Sequence, residues 1–190
     1  GIDMRSLVSL YADPDAGPFG WDLAHHYGIP IFGEGGCSDA KVFDAQAAAE
    51  AALTLFDGAI NGVNLIHDVG YLDCAMTGSL EFLAFCDELI GWLRTYLRRL
   101  EITEETLALD LIHQIGPDGD FFETKHTLEH LREGWLPRLF DRHNYQRWVG
   151  QGATTLVERA GLRVREILNS HRAQPLSDAI VQKLDDITHA

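Results

Sequence analysis

Ile29-Pro30-Ile31-Phe32-Gly33-Glu34-Gly35-Gly36-Cys37-Ser38-Asp39-Ala40-Lys41 passes from an apolar run through a glycine-rich turn into an alanine-rich segment. Ile29 to Phe32 reads as a short buried strand. Ser38 or Asp39 reads as the cap of a helix reaching about Asp57. Gly58 and Gly62 then punctuate the chain before a second short strand, Val63-Asn64-Leu65-Ile66, which ends at His67-Asp68-Val69-Gly70. Ser79 caps a long helix to about Arg99, and Arg94, Arg98 and Arg99 complement the dipole of its last turn. Strand, loop, helix, repeated, is the βα order of a parallel sheet.

Outward from this unit the pattern changes. Upstream, Trp21 to Tyr27 predicts a short helix closed by Gly28 and Pro30. Downstream, only helices are predicted. Thr103 caps one that stops at Gly116-Pro117, and Pro117-Asp118-Gly119 is a turn. Thr124 caps another through Arg132, and Ser177 caps the last. Thr155 and Glu158 form a capping box for a helix to about Ser170. Two strands cannot make an independent parallel sheet with both faces covered, so either other strands lie near the N-terminus or, the favoured expectation, the chain is part of a larger α/β domain.

The 190 residues carry a net charge of -14, very unevenly spread. Residues 1–90 hold 14 acids against two bases, Arg5 and Lys41. Phosphate contacts need the opposite sign, so nucleic acid is not an expected partner. An acidic half suits a cationic ligand, although solubility alone would also explain it. Apolar runs are too short and interrupted to span a membrane, and the N-terminus does not read as a signal peptide. Three cysteines without a CxxC pair predict a reducing, cytoplasmic setting.

Four groups of residues could carry chemistry. The Gly33–Lys41 loop opens a helix, as phosphate loops do. It matches neither phosphate fingerprint, and Glu34 and Asp39 would repel an anion. Tight turns explain its glycines but not its acids. His67-Asp68 falls where the second strand ends, the position at which parallel α/β folds bind ligands, although a lone histidine is commonly just a satisfied core or loop residue. His126-Thr127-Leu128-Glu129-His130 matches the inverted zinc-peptidase pattern and equally an amphipathic helix with Leu128 and Leu131 inward. Trp135, Tyr145 and Trp148 among arginines suit packing of a helical tail better than base stacking, given the acidic total.

Taken in order, several motifs resemble the trimethylamine methyltransferase family. They are Gly35 to Lys41 with Asp44-Ala45-Gln46 and Glu50, Gly62 to Asp73, Ser79-Leu80-Glu81, Gly116 to Gly119 with Phe121, His126-Thr127, Pro137-Arg138-Leu139 and Asp141-Arg142. The match runs from about Tyr27 to His171. The resemblance implies the C-terminal part of a TIM-type (β/α)8 barrel with a helical C-terminal extension. Residues 1–100 would be the last βα units and 101–190 the extension, with the rest of the barrel before Gly1. Trimethylamine enzymes of the family carry pyrrolysine within or beside the segment that here reads Ser38-Asp39-Ala40-Lys41, all ordinary residues. Members without it include glycine betaine methyltransferases, which His67-Asp68-Val69-Gly70-Tyr71 resembles.

The implied reaction moves a methyl group from a small methylated amine, a quaternary amine or betaine, to the cobalt of a corrinoid (cobalamin) carried by a cognate partner protein. The chain itself would bind no metal. Substrate would meet Asp39, His67, Tyr71 and Glu81, and the corrinoid would face Gly35, Gly36, Ser38 and His126. No catalytic acid–base pair is required, because a quaternary ammonium already carries its leaving group as a neutral amine. A homo-oligomer is compatible with this reading. Two alternatives stand beside it: a non-catalytic barrel or helical fragment acting as a subunit, and a zinc hydrolase built on the His126–His130 helix.

Overall fold

The computed structural model describes Ser6, Val8 and residues 16–189. Helix α1 (Ala16–Tyr27) ends at Gly28, whose φ of 64° reverses the chain, and the Ile29 amide returns to the Ala24 carbonyl at 3.1 Å. Strand β1 spans Phe32–Glu34 and pairs in parallel with β2, Leu65–His67. β1 begins three residues and β2 two residues later than the apolar runs predict. Asn64 explains the shift: its Oδ1 accepts the Ile31 amide, and the Asn64 and Leu65 amides both reach the Ile31 carbonyl. This clasp occupies the backbone groups that an earlier ladder would use.

Between the strands runs α2, Ala45–Ile60. Its cap is Asp44, whose Oδ1 accepts the Gln46 and Ala47 amides at 2.9 and 3.1 Å. Ser38 and Asp39 do not cap it, because their polar groups are engaged in the loop described below. A short antiparallel ribbon, β3 (Tyr71–Leu72) and β4 (Thr77–Gly78), follows β2 and was not foreseen from the sequence. Helix α3, Leu80–Tyr96, begins at the predicted cap, with Ser79 Oγ accepting the Phe82 amide at 3.2 Å.

The core lies between α2 and α3. Ala47, Ala51 and Leu55 pack against Phe82, Phe85, Cys86 and Leu89, with Ala40 and Leu72 closing the loop end. Alanines on α2 leave room for the phenylalanine rings, and Phe43 joins Phe82 and Phe85 at 5.3 and 5.1 Å. A fully buried phenylalanine such as Phe82 contributes roughly 1.5–3 kcal/mol of transfer free energy.

The tail is helical as predicted, in shorter pieces. Helices α4 (Glu104–Leu107) and α5 (Leu109–Ile115) are divided by Ala108, held at φ 47°. Helices α6 (Lys125–His130), α7 (Tyr145–Gly150), α8 (Leu156–Ser170) and α9 (Asp178–Thr188) follow. The Thr155–Glu158 capping box starts α8, which lies along α3. Buried Glu88 ties α3 to the tail: its Oε1 accepts the Arg138, Leu139 and Phe140 amides at 2.6, 2.7 and 3.3 Å. Arg159 on α8 donates from Nε to the Leu139 carbonyl at 2.7 Å, closing the junction. No helix among the described residues is long and apolar enough to cross a membrane.

Candidate functional site at the carboxyl ends of the paired strands

Parallel pairing brings both carboxyl ends to one side, with Glu34 in register with His67. Residues two apart share a face of the strand, so Phe32 and Glu34 stand beside Leu65 and His67. The Phe32 and His67 rings stack at 4.2 Å and 20°. The opposite face, carrying Ile66, packs on α2, where a Cβ on Gly58 would lie 2.9 Å from Ile66 Cδ1. The Phe32 and Leu65 face is open, with the two side chains 63% and 60% exposed.

Beyond the strands the two loops continue side by side. The Gly35 amide donates to the His67 carbonyl (3.1 Å), Gly70 to Gly36 (2.8 Å), Ser38 to Tyr71 (2.9 Å) and Asp73 to Ala40 (3.0 Å). Asp39, in the loop after β1, and Tyr71, the first residue of β3, are far apart in sequence but therefore lie on neighbouring stretches of backbone beyond β1 and β2. His67 is oriented by its neighbour, Nδ1 lying 2.8 Å from Asp68 Oδ2. Asp68 adopts φ 65°, a left-handed conformation that aspartate tolerates better than most residues. Asp39 takes hydrogen bonds from Ser6 Oγ on Oδ2 and from Cys74 Sγ on Oδ1, the latter at 3.4 Å. An open cleft of about 510 Å³ runs along the β1 edge, lined by Trp21, Phe32, Glu34, Asp57 and His67 among others. Burial raises the Asp57 carboxyl above the usual carboxylate range.

The other expected contacts lie elsewhere. Gly35, Gly36 and Ser38 are turned into the protein. A Cβ on Gly35 would lie 3.0 Å from Ile66 Cγ2, and one on Gly36 would lie 3.1 Å from Val69 Cγ1. Ser38 is wholly buried and donates to Glu50 Oε2 at 2.5 Å. The glycines serve close packing of the protein on itself. Glu81, in the first turn of α3, accepts from Ser79 Oγ at 3.3 Å and lines a separate groove with Val42, Phe43 and Arg165. His126 belongs to the tail: its Nε2 lies 2.9 Å from the Glu105 carbonyl, and its ring sits 4.3 Å from that of His130. His130 turns Nδ1 to Glu133 at 2.6 Å. Among the described residues no three His, Cys, Asp or Glu side chains gather as a metal-ligand set.

Glu34 was not among the expected site residues. Reading β1 as Ile29–Phe32 leaves Glu34 in the glycine loop, whereas the observed strand makes it the last strand residue. The acid itself was the signal, since a turn does not require one. Cys37 and Cys86 flank the same loop from inside. Burial pushes both thiols up to about 12, with Glu34 and Asp68 adding to the effect at Cys37, so both remain inert neutral thiols.

The family model for trimethylamine methyltransferase (MTTB) matches residues 19–189. A glycine betaine methyltransferase of Desulfitobacterium hafniense strain Y51 is 35% identical over 187 residues, 96% of this chain and 39% of that protein. The trimethylamine methyltransferase MttB of Desulfitobacterium hafniense strain DCB-2 is 31% identical over 189 residues, 98% of this chain and 38% of the relative. The trimethylamine methyltransferase MttB of Methanosarcina barkeri strain Fusaro is 32% identical over 165 residues, 87% of this chain and 33% of its own length. The chain thus spans less than two-fifths of each of these relatives. With the match extending from α1 to the end of α9, this chain belongs to the trimethylamine methyltransferase family.

Proposed function

We propose that the full-length protein moves a methyl group from a small quaternary amine, a betaine, to the cobalt(I) corrinoid of a partner protein, and that this chain supplies the last βα units of a TIM-type barrel and its helical extension. The observation that carries the reading is the pairing of Glu34 with His67 at the common carboxyl end of two parallel strands, with His67 held by Asp68. Barrels of this type place their reacting groups at that end. The open Phe32–Leu65 face supports a larger barrel, since it is the side on which further strands would close.

The chemistry asks little of the protein beyond positioning. In the transfer the carbon–nitrogen bond breaks as the carbon–cobalt bond forms, and the electron pair of the broken bond stays on nitrogen, releasing a neutral tertiary amine. Glu34 and Asp39 supply negative potential for the ammonium, and Phe32 and Tyr71 supply aromatic faces. The His67 ring, held in place by Asp68, donates to the betaine carboxylate. A betaine substrate agrees with the ordinary residues at Ser38–Lys41 and with the 35% identity to the glycine betaine enzyme. The test presents the full-length protein with cobalt(I) cobalamin and a panel of betaines and methylamines while following the cobalt spectrum. Methylation with a betaine is expected, and a protein active only with trimethylamine overturns the substrate assignment.

A further inference from the structure

Buried Glu50 has no part in the reading above, yet the site loop is built around it. Glu50 is 4% exposed on the inner face of α2. Its Oε2 accepts the Ser38 hydroxyl at 2.5 Å and the Asp39 amide at 2.9 Å, and its Oε1 accepts Gln46 Nε2 at 2.8 Å. Among the described residues no cation pairs with this carboxylate. Ser38 Oγ in turn accepts the Ala40 amide at 2.9 Å. One turn along α2, Thr54 Oγ1 accepts the Gly36 amide at 3.0 Å and donates to the Glu50 carbonyl at 2.9 Å. A helix face thus reads the backbone of residues 36–40, and the one residue of that stretch whose side chain is not buried is Asp39.

A bare carboxylate buried without a cation is expensive unless donors surround it. Three donors converging on two oxygens meet that requirement, and they fix the loop in one arrangement. We propose that Glu50 is a positioning residue: through Ser38 and the Asp39 amide it sets the Asp39 carboxylate where the substrate ammonium is bound. The proposal rests on the functional reading above, because it needs Asp39 to hold substrate. Acting through Asp39, Glu50 governs substrate affinity and leaves the transfer step alone.

The full-length protein tests this, with cobalt(I) cobalamin as acceptor and glycine betaine as donor. Glu50→Ala is expected to raise KM roughly tenfold with kcat within about twofold, the pattern of lost uniform binding. Glu50→Gln is expected to stay within about threefold of the unsubstituted protein, because its amide oxygen replaces Oε2 while Gln46 rotates to present its own oxygen. Glu50→Asp keeps the charge but withdraws the oxygens, so it is expected to raise KM as Glu50→Ala does; it serves if Glu50→Ala does not fold. In an Asp39→Ala background, Glu50→Ala adds less than about twofold, since residues acting through one contact are not additive. Leu89→Ala, a core truncation on α3, controls for lost stability and leaves KM unchanged. An unchanged KM in both Glu50→Ala and Glu50→Asp, effects that multiply with Asp39→Ala, or a KM rise in Leu89→Ala equal to that of Glu50→Ala each overturn the positioning role alone. No transfer by the unsubstituted protein from any amine overturns the functional reading and this inference with it.

Discussion

Glu34 and His67 face each other across the parallel pair, each the last residue of its strand, and Asp68 Oδ2 holds the His67 ring from the next position at 2.8 Å. A carboxylate, an oriented imidazole and the stacked ring of Phe32 therefore share one face of the paired strands. On the proposed function, replacing His67 with alanine in the full-length protein removes a donor to the betaine carboxylate. Methyl transfer should fall roughly ten- to a hundredfold, the range for one charge-assisted hydrogen bond of about 1.5–3 kcal/mol. Unchanged transfer with every betaine, in a protein that melts normally, removes His67 from the site.

Asp68 acts through His67, so its loss should be felt only while the imidazole is present. Asp68→Asn keeps a residue that tolerates φ 65° and removes the charge beside Nδ1. We expect transfer to fall by roughly three- to tenfold alone and by less than about twofold in a His67→Ala background. Steady-state kinetics on the single and double variants measure both.

Glu88 predicts a stability effect with no change in chemistry. It is 6% exposed and satisfies three amides of the Arg138–Phe140 segment. Truncation to alanine strands the buried Leu139 amide and the part-buried Arg138 and Phe140 amides, and chemical denaturation of the full-length protein should show a loss of about 2–4 kcal/mol. Glu88→Gln retains an acceptor oxygen and should lose less. Equal stability of Glu88→Ala and the unsubstituted protein refutes the tie between α3 and the tail.

Gly70 is fixed by backbone and by space together. Its φ is 88°, its amide donates to the Gly36 carbonyl, and a Cβ would lie 2.9 Å from Leu83 Cβ and 3.1 Å from Leu83 Cα. Gly70→Ala should cost about 2 kcal/mol or more, because the strain of the left-handed backbone adds to the clash with a helix. A variant as stable as the parent shows that the loop can relax.

Cys37 and Cys86 set an alkaline limit. Their folded thiols ionise at about 12, against an ordinary 9, so between these values the native state holds protons that the unfolded chain has lost. Stability contributed below pH 9 is lost as pH rises through that window, by at most about 1.4 kcal/mol per pH unit for each thiol. Denaturation midpoints at pH 8 and pH 10 should diverge, and Cys37→Ala with Cys86→Ala should reduce the gap. An identical gap in the double variant assigns the alkaline loss to other groups.

The sequence by itself determined the parallel βα order and most of the helices, but not the β3–β4 ribbon or α7. Local chemistry decides these: Ser79, Thr103, Thr124 and Thr155 each cap the helix they were expected to cap, and Gly28 ends α1, because a cap is a contact among near neighbours in the chain. Family membership was legible for the same reason, as a succession of short motifs. Only the tertiary structure decided the phase of the strands and what the loop residues face. Asn64 clasps Ile31 from 33 positions away and delays the start of both strands, which makes Glu34 a strand end. Glu50 and the paired backbone beyond β1 and β2 draw Ser38 and the glycines inward, leaving Asp44 as the helix cap. These partners are distant in sequence, and a hydrogen bond gained by folding the loop onto a helix leaves no mark on its local residue pattern.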